Sequence, residues 1–443
     1  MIAIEPCRQC YEQVKDSASE LPSVMYRERQ SPATTIALAF FSFALAALGQ
    51  QSIRTPQAPL YQSFQPNPAQ TSFVRLGPFS GNADVGVGYS FTDNANTTET
   101  NKISLNQIYE QVNLELAWAL SPFNRIDLAL GGQLQENFYS SGTNALNLVI
   151  LPGSEIRLQA KVGDVVLQAF EQFAITQDPV SDATVAGQTN LNRLTNTIGT
   201  SALVTLSHVD FELEFDYTYS DSLGGSNVST QGGGELRNSL HLGSRLGIEA
   251  GPTLSYGLAG DASYNTGAGA GDTNVLSGGV FLRGHLTSLL AVDVGVGVLA
   301  GSGPGAGGPG YYAYLSARHE FSRSFRLLLG ITHDSEFSSG LGVSESNNFR
   351  LTAQADLTRR WSVSASPFLN FGSVITGELP GAYTQYGFAV DSSYALSRHL
   401  SAAVNYRFAK RDGDGVSVKG QSASGQSPNY TQNLFSVSLT YRF

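Results

Sequence analysis

Four carboxylates recur at every second position, Asp210, Glu212, Glu214 and Asp216, separated by Phe211, Leu213 and Phe215. Period-two alternation sends neighbouring side chains to opposite faces of an extended strand. One face of this stretch therefore meets an apolar medium and the other meets water. A row of carboxylates facing water can set ion preference or orient a dipolar solute. Proton-transfer catalysis needs more, namely a partner at hydrogen-bond distance. His333-Asp334-Ser335-Glu336 has the residue types of a hydrolase, but adjacent strand residues point to opposite faces, and an ordinary polar run where a strand meets a loop accounts for them as well. His208, His285, His319 and His399 fall near short turns and share no metal-ligand spacing. The letters of Gly303 to Gly308 match GxGxxG, yet Tyr311-Tyr312 follow and no helix start is present to hold a phosphate. Asp93, Asp412 and Asp414 supply too few oxygen ligands per loop for calcium. Cys7 and Cys10, the only cysteines, form a CxxC without a surrounding strand and helix. No cofactor, metal or enzymatic activity is expected.

The elements that must carry these groups share one period. Val85, Val87, Tyr89 and Phe91 alternate with small or polar residues, as do Val112, Leu114, Leu116 and Trp118, then Ile126, Leu128 and Leu130. The pattern returns in Val292 to Val298, in Phe325, Leu327, Leu329 and Ile331, in Phe349 to Leu357, and in Val404, Tyr406 and Phe408. Segments of about ten residues with alternating faces are the signal of a transmembrane β-barrel. A soluble sandwich also alternates, so the connections decide. Short turns near Ser121, Gly163, Ser207, Gly251, Thr287, Ser322, Thr358 and Ser397 alternate with longer polar connections: 93–105, 139–152, 177–193, 221–234, 265–273, 301–309, 336–347, 372–382 and 412–429. That is the asymmetry of a barrel with one rim in the periplasm and the other outside. The fold class is all-β, a transmembrane antiparallel β-barrel of about 18 strands, with a C-terminal strand ending in Phe443.

If the apolar residue of each pair faces lipid, the lumen face follows. The first half supplies Glu115, Asp127, Glu155, Arg157, Lys161, Asp210, Glu212, Glu214 and Asp216. The later strands supply Arg237, Arg245, Arg283, Arg326, Arg350, Arg407 and Arg442, with Asp293, Asp356 and Asp391 among them. One wall is expected to be acidic and the opposed wall Arg-bearing, giving a transverse field. Mutual neutralisation of solvated inward groups is the alternative.

The chain has a formal charge of −10, and its 26 basic residues are scattered, which argues against a nucleic-acid surface. The only long apolar run is Thr35 to Leu48. Met25, Arg27, Arg29, that run, and the small residues at Ala44 to Gly49 make a secretory signal. Residues 1–24 then read as a mis-assigned start, 25–49 as the signal peptide, 50–82 as a periplasmic linker and 83–443 as the barrel.

Leu439-Thr440-Tyr441-Arg442-Phe443 resembles the terminal recognition strand of Gram-negative outer-membrane proteins. Leu76-Gly77-Pro78-Phe79, Thr92-Asp93-Asn94, Leu151-Pro152-Gly153, Thr176-Gln177-Asp178-Pro179 and Tyr430-Thr431-Gln432-Asn433 resemble motifs of β-barrel porins associated with exopolysaccharide loci and Verrucomicrobia-like bacteria. The resemblance implies an outer-membrane channel passing small hydrophilic solutes or assisting exopolysaccharide export, and a non-conducting surface barrel is the alternative. Its implied partners are outer-membrane lipid and lipopolysaccharide, the barrel assembly machinery at the C-terminal strand, and polysaccharide or other export components. Both termini are expected in the periplasm.

Overall fold

The computed structural model describes residues 74–95, 99, 102–121, 123–142, 144–176, 193–222, 237–251, 253–267, 272–303, 309–338, 342–374, 381–414 and 429–443. The leader, Cys7, Cys10 and most of the linker lie outside the described residues. A short strand β1 (Val74–Leu76) turns through Gly77-Pro78 into β2 (Phe79–Thr92), four residues before the expected Ala83. Then follow β3 (Leu105–Ala119), β4 (Arg125–Tyr139), β5 (Asn144–Val162), β6 (Val165–Thr176), β7 (Arg193–Leu206), β8 (Val209–Ser222), β9 (Arg237–Gly251) and β10 (Leu254–Gly267). The second half comprises β11 (Thr273–Thr287), β12 (Leu290–Ser302), β13 (Gly310–Ser322), β14 (Phe325–Ser338), β15 (Gly342–Asp356), β16 (Trp361–Val374), β17 (Gly381–Ala395), β18 (Leu400–Asp414) and β19 (Tyr430–Arg442). Each strand from β2 pairs antiparallel with the next, and β19 pairs with β2, so 18 strands form one closed ring. Between β9 and β10 the ladder is confined to Thr266–Asn238 and Gly267–Arg237.

Closure is secured at both ends of the β19–β2 seam. At one rim the Arg442 guanidinium donates to both Asp84 oxygens at 2.7 and 2.8 Å, and the Phe443 N–H donates to the Ala83 carbonyl. At the other, the Asn433 N–H and side-chain amide donate to Asp93 at 2.7 and 2.6 Å, and Asn94 Nδ2 donates to the Thr431 carbonyl. The motifs around Asp93 and Asn433, remote in sequence, are one latch. With no free edge left in the ring, every strand finds two neighbours for its backbone groups.

Two connections are shorter than the sequence suggested. β5 begins at Asn144, so Leu151-Pro152-Gly153 lies within a strand and forms a bulge, with Gly153 at φ +99° and the pairing shifted between Ile150 and Ser154. Ser154 Oγ accepts from the Gly131 N–H at 3.0 Å and donates to the Leu151 carbonyl at 2.9 Å, holding the extra residues in place. β14 and β15 likewise extend to Ser338 and from Gly342, with the ladder continuing to Ser338 opposite Gly342.

Candidate functional site

Directly opposed residues across a ladder share a face. Val85 faces Val112 and Tyr89 faces Ile108; Leu114 and Leu116 in turn face Leu130 and Leu128. Of these, Leu114 and Leu128 are half-buried and the rest are solvent-exposed, as are Val280, Val296, Leu351, Val404, Val437 and Leu439 further round the ring. The outside is thus a continuous apolar band. Aromatics sit at its margins: Phe79 stacks on Trp118 at 5.0 Å near the short turns, with Phe321, Trp361, Tyr394 and Tyr441 exposed at the same level.

Strand alternation puts the charged positions named above, Arg237 apart, on the face opposite the apolar band. Glu115 accepts from Asn82 at 3.4 Å. Asp127 is directly opposite Arg157 and takes two bonds from Arg125 at 2.6 Å. Arg157 is 1% exposed and lies 2.8 Å from Glu155, which also accepts from Gln172 at 2.8 Å. Asp210, Glu212, Glu214 and Asp216 share the inner face of β8, where their ladder partners on β9 are Gly247, Arg245, Gly243 and His241. Arg245 places its guanidinium 4.7 Å from the Phe281 ring, and Arg283 bonds Asp293 at 3.0 Å. Arg326 donates to Gln354 at 2.8 Å; Arg350 is exposed to the interior; Arg407 lies 5.9 Å from the Phe368 ring. Arg442 holds Asp84 at the seam. Arg237 pairs through its backbone with Ser220 and Gly267, and its side chain is outside the described set.

The expected separation into opposed walls is only partial. Antiparallel register sets Arg245 and His241 beside the carboxylates of β8, so opposite charges meet across adjacent strands, and β4 with β5 does the same. The strands bearing Arg326, Arg350 and Arg407 are β14, β15 and β18, which lie across the 18-strand ring from β8.

Sequence reasoning passed over His241 and Asp261. The His241 Nδ1 is 2.8 Å from Asp216 Oδ2 and its Nε2 is 3.2 Å from Asp261 Oδ1, bridging β8, β9 and β10. Alternation within Leu240-His241-Leu242 marks the imidazole as inward, but its partners depend on register. Ligand atoms of Glu214, Asp216 and His241 lie within 4.8 Å of one another, a donor set able to hold a cation if the ring gave up one of its hydrogen bonds. A second cluster, Val275, Leu299 and Tyr312 with Tyr314, lines β11 to β13. Gly295 and Gly297 let those two tyrosines lie flat, since a Cβ there would be 2.4 Å from a ring carbon.

His333 sits on the outer face. Its ring stacks on Tyr311 at 4.0 Å and its Nδ1 is 2.9 Å from Asn347 Oδ1. The side chain of Asp334 lies outside the described residues.

No family model matches the chain, and no curated protein matches it. Among solved structures, the chain is similar to Pseudomonas aeruginosa OccK7 (OpdD), at 10% identity over 83% of this chain and 99% of that one, TM-score 0.46. Acinetobacter baumannii OccAB2 gives 12% identity, 84% and 99% coverage and a TM-score of 0.44. The siderophore receptor PirA from Pseudomonas aeruginosa gives 11%, 82% and 80%, and 0.43. At these values the likeness is confined to architecture. The class defined by the chain's own geometry is a closed 18-strand antiparallel barrel with an apolar exterior and a charged interior.

Proposed function

We propose that the chain is an outer-membrane channel that passes small hydrophilic solutes passively, without catalytic or cofactor chemistry. The observation that carries this reading is the pairing of an exposed apolar outer band with ionisable inner faces on a closed ring of 18 strands. Rings of 16 to 18 strands are wide enough to leave an aqueous lumen. Glu115, Asp127, Arg157, the β8 carboxylates and the arginines from Arg237 to Arg442 are its proposed lining. The carboxylates of β8 stand across the ring from Arg326, Arg350 and Arg407, an arrangement that orients dipolar solutes. The short turns and both termini are placed in the periplasm and the longer connections outside, after export by the leader at 25–49. Insertion through the barrel assembly machinery, using β19, and contact with lipopolysaccharide belong to the same proposal. The resemblance to exopolysaccharide-associated porins adds assistance to polysaccharide export as a second cargo.

The test is single-channel conductance of the purified protein in a planar bilayer under a salt gradient. Stable conductance steps with a measurable ion preference are expected. Folded barrel that inserts without conducting would replace this reading with a structural or surface-interaction role.

A further inference from the structure

The short turns themselves carry their arginines on one arc. The turns at 120–124, 163–164, 207–208, 252–253 and 288–289 contain no Lys or Arg. The three turns that follow contain Arg323, then Arg359 and Arg360, then Arg398. They join β13 to β14, β15 to β16 and β17 to β18, so they are consecutive around the rim. All four arginines are exposed, and among the described residues none has a carboxylate within ion-pair distance.

One local device presents them. Ser322, Thr358 and Ser397 each precede an Arg, and each accepts with its hydroxyl from the N–H two residues on, at 3.2 Å: Ser324, Arg360 and His399. The turn's polar groups are thereby used internally, and the guanidinium projects outward. Each Arg also borders side chains of the exposed apolar band. Phe321 and Phe325 flank Arg323, Leu357 and Trp361 flank Arg359 and Arg360, and Tyr394 and Leu396 precede Arg398. Two residues of strand span roughly 7 Å, which sets these cations just outside the apolar band, at headgroup depth. A recess of about 650 Å³ opens here, lined among others by Ser324, Asp356, Arg359, Arg360, Trp361 and Ser393. Asp356 is the carboxylate of that recess.

We propose that this arc binds the phosphodiester headgroups of anionic phospholipid in the adjoining leaflet, with Arg323, Arg359, Arg360 and Arg398 as phosphate ligands and Trp361 as interfacial anchor. Planar guanidinium forks match phosphate oxygens, and a headgroup without its own ammonium leaves that charge available. Lipid is favoured over an acidic protein because the cations alternate with residues of the exposed apolar band. The inference rests on the membrane-spanning reading above.

The protein has only two tryptophans, Trp118 and Trp361. Both lie at the short-turn rim, Trp118 beside the turn at 120–124, which contains no arginine and whose neighbour Arg125 is engaged by Asp127. In the full chain, Trp118→Phe leaves Trp361 as reporter and Trp361→Phe leaves Trp118. Each variant is inserted into phosphatidylcholine vesicles containing the same minor fraction of chain-brominated phosphatidylglycerol or chain-brominated phosphatidylcholine. Quenching of Trp361 should be at least about twofold stronger with the anionic lipid, quenching of Trp118 equal with both, and the preference should vanish in R359Q/R360Q. Equal ratios at the two tryptophans, or a preference that survives R359Q/R360Q, overturns the proposal and leaves the membrane reading standing. Absence of quenching at either site by either lipid overturns both.

Discussion

Arg157 offers a sharp test of the interior because its position sets desolvation against pairing. Its side chain is 1% exposed, while Glu155 and Asp127 are 8% and 9% exposed. The guanidinium donates to Glu155 at 2.9 Å and stands directly opposite Asp127, whose other cation is Arg125. Arg157→Met keeps the approximate volume but leaves Glu155 buried without its cation. Removing one member of a buried pair costs about 3–5 kcal/mol, a fall of roughly 10²- to 10³-fold or more in the folding equilibrium constant. Replacing the group together, Asp127→Asn, Glu155→Gln and Arg157→Met, removes the buried carboxylates as well as their cation and leaves only Arg125, 28% exposed, to be met by solvent. That triple variant should therefore be more stable than the single one, since neutral replacement of a buried ion group is often close to neutral. The assay is reversible urea unfolding of the barrel in lipid vesicles, followed by tryptophan fluorescence and by mobility of unheated samples on gels. A single-variant cost below about 1 kcal/mol, the range of a solvated pair, would refute the reasoning, as would a triple variant less stable than the single one.

Three further outcomes follow from the same geometry. Glu212→Lys with Glu214→Lys should move the reversal potential toward anion preference, more strongly at low salt, where the Debye length is greater; an unmoved potential would count against these groups facing the conduction path. Gly297→Val would put a Cβ 2.4 Å from the Tyr312 ring and 2.5 Å from the Gly278 carbonyl, so a stability loss of about 1–3 kcal/mol is expected in urea, and an unchanged urea midpoint would show that this wall has slack. His333→Ala removes an outward stack with Tyr311, worth about 0.5–1.5 kcal/mol, and a hydrogen bond with Asn347, and should leave conductance and ion preference untouched; loss of conductance would mean that the outer-face assignment is wrong.

Much of the barrel is legible in the sequence because its solvent is two-sided. Phe211 to Tyr217 alternate with Asp210 to Asp216, and nothing but an extended segment between apolar and aqueous media accommodates that pattern. The alternation assigns faces without any knowledge of neighbours, and the short turns divide the chain into about the right number of strands. Leu151-Pro152-Gly153 marks where this reading fails: Pro and Gly look the same whether they turn the chain or bulge it, and only the Ser154 contacts with Gly131 and Leu151 distinguish the two.

Register is what the sequence left open. A slip of two residues returns every side chain to its original face, so alternation cannot tell one such pairing from the next. Yet register decides that Glu212 meets Arg245, that His241 lies between Asp216 and Asp261, and that Arg442 reaches Asp84, residues more than 350 positions away in the chain. The polarity of each face was thus written along the strand, whereas the partners of each charge were chosen only when the ring closed and its ladders locked.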